Sequence, residues 1–184
     1  DKNIPFLDAP VSGGVKRAVS GTISIMVGGE SAAIARAKPI FEAVSSDIFE
    51  CGPLGAGHAT KAMNNMLSAL GVLATTEALL IGRRFGLDPS TLTNVINKSS
   101  GRNNATELKM HQFILKENWK SGFSSGLMLK DLTIAQHLAR NVGLSAPCTA
   151  LVRDAFAETV DHYGPSSDHT MLAKLLQETR KTKL

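Results

Sequence analysis

The stretch HATKAMNNMLSALGVLATTEALLIGRRF, residues 58–85, decides the fold. It contains no proline, so no position in it lacks a backbone donor or forces a kink. Ala62, Met63, Met66, Leu67, Leu70, Leu73, Leu79, Leu80 and Ile81 cover most of the helical circumference instead of one stripe. A helix patterned this way is expected to be buried on nearly all sides. At roughly 1.5 Å per residue it is about 40 Å long, enough for the spine of a helical domain. Gly86 closes it.

Downstream of that helix the pattern stays helical. Asp88-Pro89-Ser90 is a capping residue followed by proline at the first helical position, and it opens a helix to Asn97. Asn103–Leu115 reads as a further helical stretch, and Gly122–Gly126 as a loop. Leu127–Val142 is a helix closed by Gly143. Pro147 opens the next one, to Tyr163, and Asp168 caps a last one ending near Leu176.

Upstream, the character changes. Pro5–Val11 is a short apolar run closed by Ser12-Gly13-Gly14, which reads as a strand and a tight turn. Thr22–Val27 alternates polar and β-branched residues, a second strand ending at Gly28-Gly29. Ser31 is expected to cap a helix running to about Val44. Asp47–Cys51 is a third strand. The fold class is therefore mainly α: a short three-strand α/β portion, then an all-helical domain on one long helix. The expected domains are 1–54 and 55–184.

The whole chain has 184 residues with 43% hydrophobic and 20% charged side chains, which excludes disorder and fibrous repeats. Two cysteines, Cys51 and Cys148, exclude a disulfide scaffold and read as reduced, buried thiols. The net charge of +4 is scattered and aromatic residues are 5%, so no nucleic-acid surface is expected. No run of 18 uncharged apolar residues occurs, and no signal peptide is visible, so neither membrane nor secretion is expected. The five histidines lack metal-ligand spacing, and no metal is expected. The chain begins Asp1-Lys2-Asn3 without Met, and it reads as a fragment with an upstream portion missing.

Four places carry candidate chemistry. Gly52-Pro53-Leu54-Gly55-Ala56-Gly57 joins a strand to a helix, yet its order is G-x-x-G-x-G and not the dinucleotide fingerprint G-x-G-x-x-G. Its glycines are expected to give a flexible entry to the long helix and a close backbone approach. Lys61, Asn64, Asn65 and Ser68 form one polar stripe on an otherwise apolar helix. A buried polar stripe needs partners, water or a cavity. Lys61 is one turn from the helix N-terminus, where desolvation and the dipole both favour the neutral amine that acid–base work uses. A snorkelling lysine beside two backbone-bonded asparagines is the bland alternative. Ser12-Gly13-Gly14 is either an anion nest or a plain turn. Lys130-Asp131 is a candidate whose bland alternative is a surface ion pair.

Together these motifs resemble the β-hydroxyacid dehydrogenase family, which includes 3-hydroxyisobutyrate dehydrogenase and 6-phosphogluconate dehydrogenase. Asp8-Ala9-Pro10-Val11-Ser12-Gly13-Gly14 is similar to the family's substrate-binding motif. Gly55-x-Gly57-x-x-x-Lys61-x-x-x-Asn65 is similar to its catalytic motif, and Lys130-Asp131-Leu132 to an element near the cofactor. The resemblance implies an NAD(P)-dependent oxidoreductase moving a hydride between nicotinamide and a small β-hydroxyacid or its semialdehyde or keto form. It implies Lys61 and Asn65 as catalytic residues, with Asn65 also on the substrate. Ser12, Gly13 and Gly14 would hold the substrate carboxylate, and Lys130 and Phe123 would contact the cofactor.

The family's Gly-rich dinucleotide domain is absent from this sequence. Residues 1–54 therefore correspond to the end of that domain and 55–184 to a complete helical catalytic and dimerisation domain. The fragment alone is expected to be inactive. A homodimer or higher homo-oligomer is expected, with some of Ala69, Leu73, Leu80 and Ile81 needing outside cover. The implied location is the cytoplasm or the mitochondrial matrix. The alternative is a non-catalytic binding or dimerisation module of the same descent. Ser99–Asn104, with Arg102, is a candidate specificity loop.

Overall fold

A computed structural model describes residues 4–184. Asp1, Lys2 and Asn3, the start of the lead-in to the first strand, lie outside the described residues. The chain forms two compact units, divided between Asn64 and Asn65.

In the first unit, β1 (Val11–Ser12) pairs antiparallel with β2 (Ser24–Gly28), and β2 pairs parallel with β3 (Asp47–Gly52). Helix α2 (Ser31–Glu42) makes the crossover that a parallel pair requires. Ile25, Met26 and Val27 of the central strand are all buried, as expected for a strand covered on both faces. Ile25, Val27 and Ile34 form the core, with Leu7, Ala9, Ile23, Phe41 and Ile48 packed around it.

Three local expectations need correction. The first strand is two residues long; residues 6–10 meet β2 through a bridge between Asp8 and Gly28 and a bond from Met26 N–H to the Pro10 carbonyl. The turn at Ser12-Gly13-Gly14 is the start of a helix, α1 (Gly14–Val19), with Gly13 as its N-cap at φ 128°. That backbone conformation is open to glycine alone among ordinary residues. Ser31 does not cap α2; it is the first helical residue, and the cap position is Glu30, whose side chain makes no capping bond.

Helix α3 (Ala56–Phe85) begins in the first unit and supplies the spine of the second. The second unit continues with α4 (Pro89–Asn97), α5 (Asn104–Leu108), a π-helical turn (Met110–Ile114), α6 (Ser125–Asn141), α7 (Pro147–Tyr163) and α8 (Met171–Thr179). Phe156, Leu79, Met110, Ile114, Leu132 and Leu172 are its largest fully buried side chains. Asp88 caps α4 by accepting from the Thr91 N–H at 2.7 Å, as its sequence implies.

The stretch 103–115 is not one helix. It breaks at Lys109, after which the Ile114 and Leu115 N–H groups reach back five residues to the Lys109 and Met110 carbonyls. Nor is α3 buried all round: Ala69, Val72, Leu73, Leu79 and Leu80 are buried, but Leu67 and Ile81 are each 65% exposed. Of the four residues expected to need outside cover, only Ile81 does. By length and mean hydropathy (1.4) α3 could cross a membrane, which the search for an uncharged run did not show; half of that window is buried within the protein. Both cysteines are free, but Cys148 is exposed and Cys51 only partly covered, against the expectation of buried thiols.

Candidate active site

The glycine-rich turn before α3 has an anion, and the chain supplies it. Asp8, 6% exposed, accepts from Gly55 N–H at 2.6 Å, from His58 N–H at 2.7 Å and from the His58 ring Nδ1 at 2.9 Å. The two backbone N–H groups are donors that a helix start leaves unpaired. Burial by itself would raise the Asp8 carboxyl, but the bonds from Gly55 and His58 hold it below the ordinary carboxylate value. The positive end of the α3 dipole therefore faces a buried carboxylate. The close approach expected of these glycines is real: a Cβ on Gly57 would sit 2.3 Å from the Met26 carbonyl oxygen.

The polar stripe of α3 divides by partner. Asn65, 6% exposed, donates through Nδ2 to Asp131 Oδ2 at 2.5 Å. The other oxygen of Asp131 lies 2.8 Å from Lys130 Nζ. Lys130 is open to solvent, whereas the Asp131 side chain is 6% exposed. The pair is thus no plain surface ion pair: a buried carboxylate on α6 joins Asn65 to a solvent-facing ammonium. Because Nδ2 is committed to a carboxylate, the Asn65 oxygen is fixed as the acceptor end of the amide. Lys61 is half-buried and lies one turn before Asn65 on the same helix; Asn64 is exposed.

Ser68, the last residue of the stripe, accepts from Lys109 Nζ at 2.9 Å. Lys109 is 8% exposed. Burial pushes its amine down to about 8, and the nearby Asp168 carboxylate only partly opposes this.

Asp168 anchors the start of α6. It accepts from Ser121 Oγ at 2.8 Å, Gly122 N–H at 2.9 Å, Thr170 N–H at 3.0 Å and Thr170 Oγ1 at 2.6 Å. Burial raises its carboxyl, yet the bonds from Thr170, Ser121 and Gly122 leave it below the ordinary value. His169 donates its backbone N–H to the Phe123 carbonyl at 2.8 Å, and its ring meets Phe123 edge-on at 5.8 Å. Burial, then the Lys109 charge, push the His169 imidazole down to about 4. Phe123, half-buried, is thus held by residues 168–169 just ahead of α6.

Ser12, Gly13, Gly14 and Lys61 therefore belong to the first unit, and Asn65, Phe123 and Lys130 to the second. In the segment 99–104, Asn103 is absorbed into the cap of α5, accepting from Ala105 N–H at 2.8 Å and donating to Thr75 Oγ1 at 3.2 Å. Arg102 is exposed, 3.7 Å from Glu107. Sequence reading did not find the roles of Asp8, Lys109, Asp168 and His169. Asp8 stands before a glycine-rich segment, but its partners are 47 to 50 positions away. Asp168 reads in sequence as the cap of the last helix, but that cap position is Thr170, and the Asp168 carboxylate also takes bonds from Ser121 and Gly122.

Two family models match the chain. The NAD-binding model of NADP-dependent 3-hydroxyisobutyrate dehydrogenase covers residues 55–176, and the NAD-binding domain of 6-phosphogluconate dehydrogenase covers residues 1–52. The 3-hydroxyisobutyrate dehydrogenase of Pseudomonas aeruginosa is 42% identical over 162 residues, covering 85% of this chain and 54% of the relative. The 2-(hydroxymethyl)glutarate dehydrogenase of Eubacterium barkeri is 39% identical over 156 residues, covering 85% and 52%. The NAD-dependent L-serine dehydrogenase of Pseudomonas aeruginosa is 34% identical, covering 98% and 62%. The chain thus spans little more than half the length of these curated relatives. Among solved structures, Mycobacterium tuberculosis 3-hydroxyisobutyrate dehydrogenase with L-serine superposes with a TM-score of 0.83 at 33% identity, covering 93% of this chain and 60% of that one. With a family model on 122 of 184 positions (55–176), and with the strand remnant and long helix in place, the chain belongs to the β-hydroxyacid dehydrogenase family.

Proposed function

We propose that this chain is the substrate-binding and catalytic portion of an NAD(P)-dependent oxidoreductase acting on a small β-hydroxyacid or its semialdehyde or keto form. The observation that carries this reading is the Asn65–Asp131–Lys130 network, in which one buried carboxylate holds two residues of separate family motifs. A bound NAD or NADP supplies the hydride acceptor or donor. The residues here fit such a group in part. The exposed Lys130 ammonium suits its anionic or carboxamide groups, and the half-buried Phe123 ring offers an apolar wall. The glycine turn at 52–57 does not fit its phosphates, because the Asp8 carboxylate already takes the Gly55 N–H and the His58 N–H that follows, and the Ala56 N–H bonds the Pro53 carbonyl.

On this reading Lys61 takes the hydroxyl proton in oxidation and returns it in reduction. Asn65 presents its oxygen toward a donor, either the Lys61 ammonium or a substrate hydroxyl. Ser12, Gly13 and Gly14 hold the substrate carboxylate through hydroxyl and backbone N–H groups. The division at 54/55 is then one of labour, with substrate anchoring before it and proton transfer and dimerisation after it. Small hydroxyacids are the substrate class, in the cytoplasm or the mitochondrial matrix. Lys61→Ala in the protein that carries this chain should cut turnover by about 100-fold or more with NAD(P) affinity unchanged. Near-normal turnover in a folded variant removes Lys61 from the mechanism.

We further propose a homodimer or higher homo-oligomer, supported by Leu67, Ile81 and Phe85 standing 65%, 65% and 83% exposed on α3. Light scattering tests it: a stable monomer at micromolar concentration overturns it.

A further inference from the structure

We propose that Asp8 is a positioning residue for the reaction: its carboxylate staples the first turn of α3, and through it Lys61, to the segment that leads into Ser12-Gly13-Gly14. The proposal rests on the roles given above to Lys61 and to those three residues.

Asp8 is fixed from both sides. Its backbone N–H donates to the Gly28 carbonyl at 3.0 Å and its carbonyl accepts from Gly28 N–H at 2.8 Å, locking it to β2. Four positions further on is Ser12. The Asp8 side chain accepts from Gly55 and His58 across 47 and 50 positions, and Lys61 follows His58 by three residues. Asp8 thus makes two backbone hydrogen bonds to β2 and three side-chain contacts, counting the His58 ring, at the start of the element assigned to proton transfer, four positions before the segment assigned to substrate anchoring.

The cradle is shaped for this carboxylate. A Cβ on Gly28 would stand 2.3 Å from Asp8 Oδ1, and one on Gly57 2.8 Å from Asp8 Oδ2. Any side chain at either position would evict it. A helix cap alone needs neither the bridge to β2 nor two clearing glycines, since caps such as Asp88 are made locally on the surface. Proton transfer tolerates little misplacement; a shift of about 1 Å can cost roughly 100-fold.

The test is Asp8→Asn in the protein that carries this chain. The amide keeps the shape, but its NH₂ opposes the His58 N–H donor. Amide exchange is read at Gly55, His58 and the β2 strand, and kcat and KM are read with NAD(P)⁺ and 3-hydroxyisobutyrate or L-serine. Gly55 and His58 are expected to exchange at least about 10-fold faster with β2 unchanged. At the same time kcat is expected to fall about 10- to 100-fold while KM stays within about 3-fold. His58→Ala, which removes only the ring contact, should leave kcat within about 3-fold. If Asp8→Asn does not fold, Asp8→Ser, which keeps one uncharged acceptor, takes its place with the same expectations.

Unchanged exchange at Gly55 and His58 overturns the proposal. So does faster exchange with unchanged kcat, which would leave Asp8 a helix cap and nothing more. Failure of the functional reading shows separately, as Lys61→Ala with full turnover.

Discussion

Each unit of this protein buries a charge, and the two are treated differently. Asp8 in the α/β unit has three donors on its carboxylate, and its carboxyl is held below the ordinary value. Lys109 in the helical unit, 8% exposed, donates to the neutral Ser68 hydroxyl, and its amine falls to about 8. Both are nearly closed to solvent, but Lys109 lies deeper in the protein and desolvation dominates its shift. Depth, together with the number and charge of the hydrogen-bonding partners, decides whether the ion is kept or pushed toward neutrality. A helix N-terminus offers an anion several N–H donors at once. For Lys109 the described acceptor is the Ser68 hydroxyl, and the oxygens of Asp168 already take bonds from Ser121, Gly122 and Thr170.

The harshest way to break this comparison is Asp168→Ala. It strands the Ser121, Gly122 and Thr170 donors and removes the one carboxylate that supports the Lys109 charge. Loss of about 3–5 kcal/mol in urea unfolding at pH 7 is expected. A loss below about 1 kcal/mol would mean that Lys109 needs no counter-charge.

Next in size is acid. The His169 imidazole, normally near 6.5, sits at about 4 in the fold. Its depressed value means that the unfolded chain binds this proton more readily. Stability is therefore full above about pH 6.5 and is lost as pH falls toward 4, by on the order of 3 kcal/mol. Asp8 and Asp168, also depressed, add their own losses only as pH falls further, below the ordinary carboxylate range. Urea midpoints measured between pH 7 and 4 check this, and His169→Gln should flatten that window.

The smallest effect sharpens the comparison most. For Lys109 the folded amine is likewise easier to deprotonate than the unfolded one, so stability should rise as pH goes from about 8 to 10.5. Lys109→Met should abolish that rise. At pH 7 it should change stability by less than about 1.5 kcal/mol, because loss of the charge relieves burial while Asp168 loses a neighbour. The same substitution costing several kcal/mol would show the ammonium to be as well satisfied as Asp8.

The helical elements were legible because their signals are local. Asp88-Pro89 and Pro147 open their helices as read, Gly86 and Gly143 end theirs, and residues 58–85 are continuous helix as proline-free sequence implies. The junction at Lys109 was not legible. A π-turn there depends on which side chains Met110 and Ile114 bury, and five-residue helical backbone bonds leave no mark in composition. The six-residue helix after Gly13 was missed for a similar reason: Ser-Gly-Gly is as good a turn as it is a helix start.

Of the candidate site, the sequence by itself determined that Lys61, Asn65 and Ser68 share one face of a helix, since 3.6-residue periodicity needs no tertiary information. It also determined that 52–57 has the wrong order for a dinucleotide loop. Only the tertiary structure decided what meets those groups: Asp131 on Asn65, Lys109 on Ser68 and Asp8 on the start of α3. Each partner lies 41 to 66 positions away. A buried carboxylate or ammonium carries the same letter as an exposed one. Its burial is set by which distant elements pack over it, and its charge by how many hydrogen bonds that packing delivers.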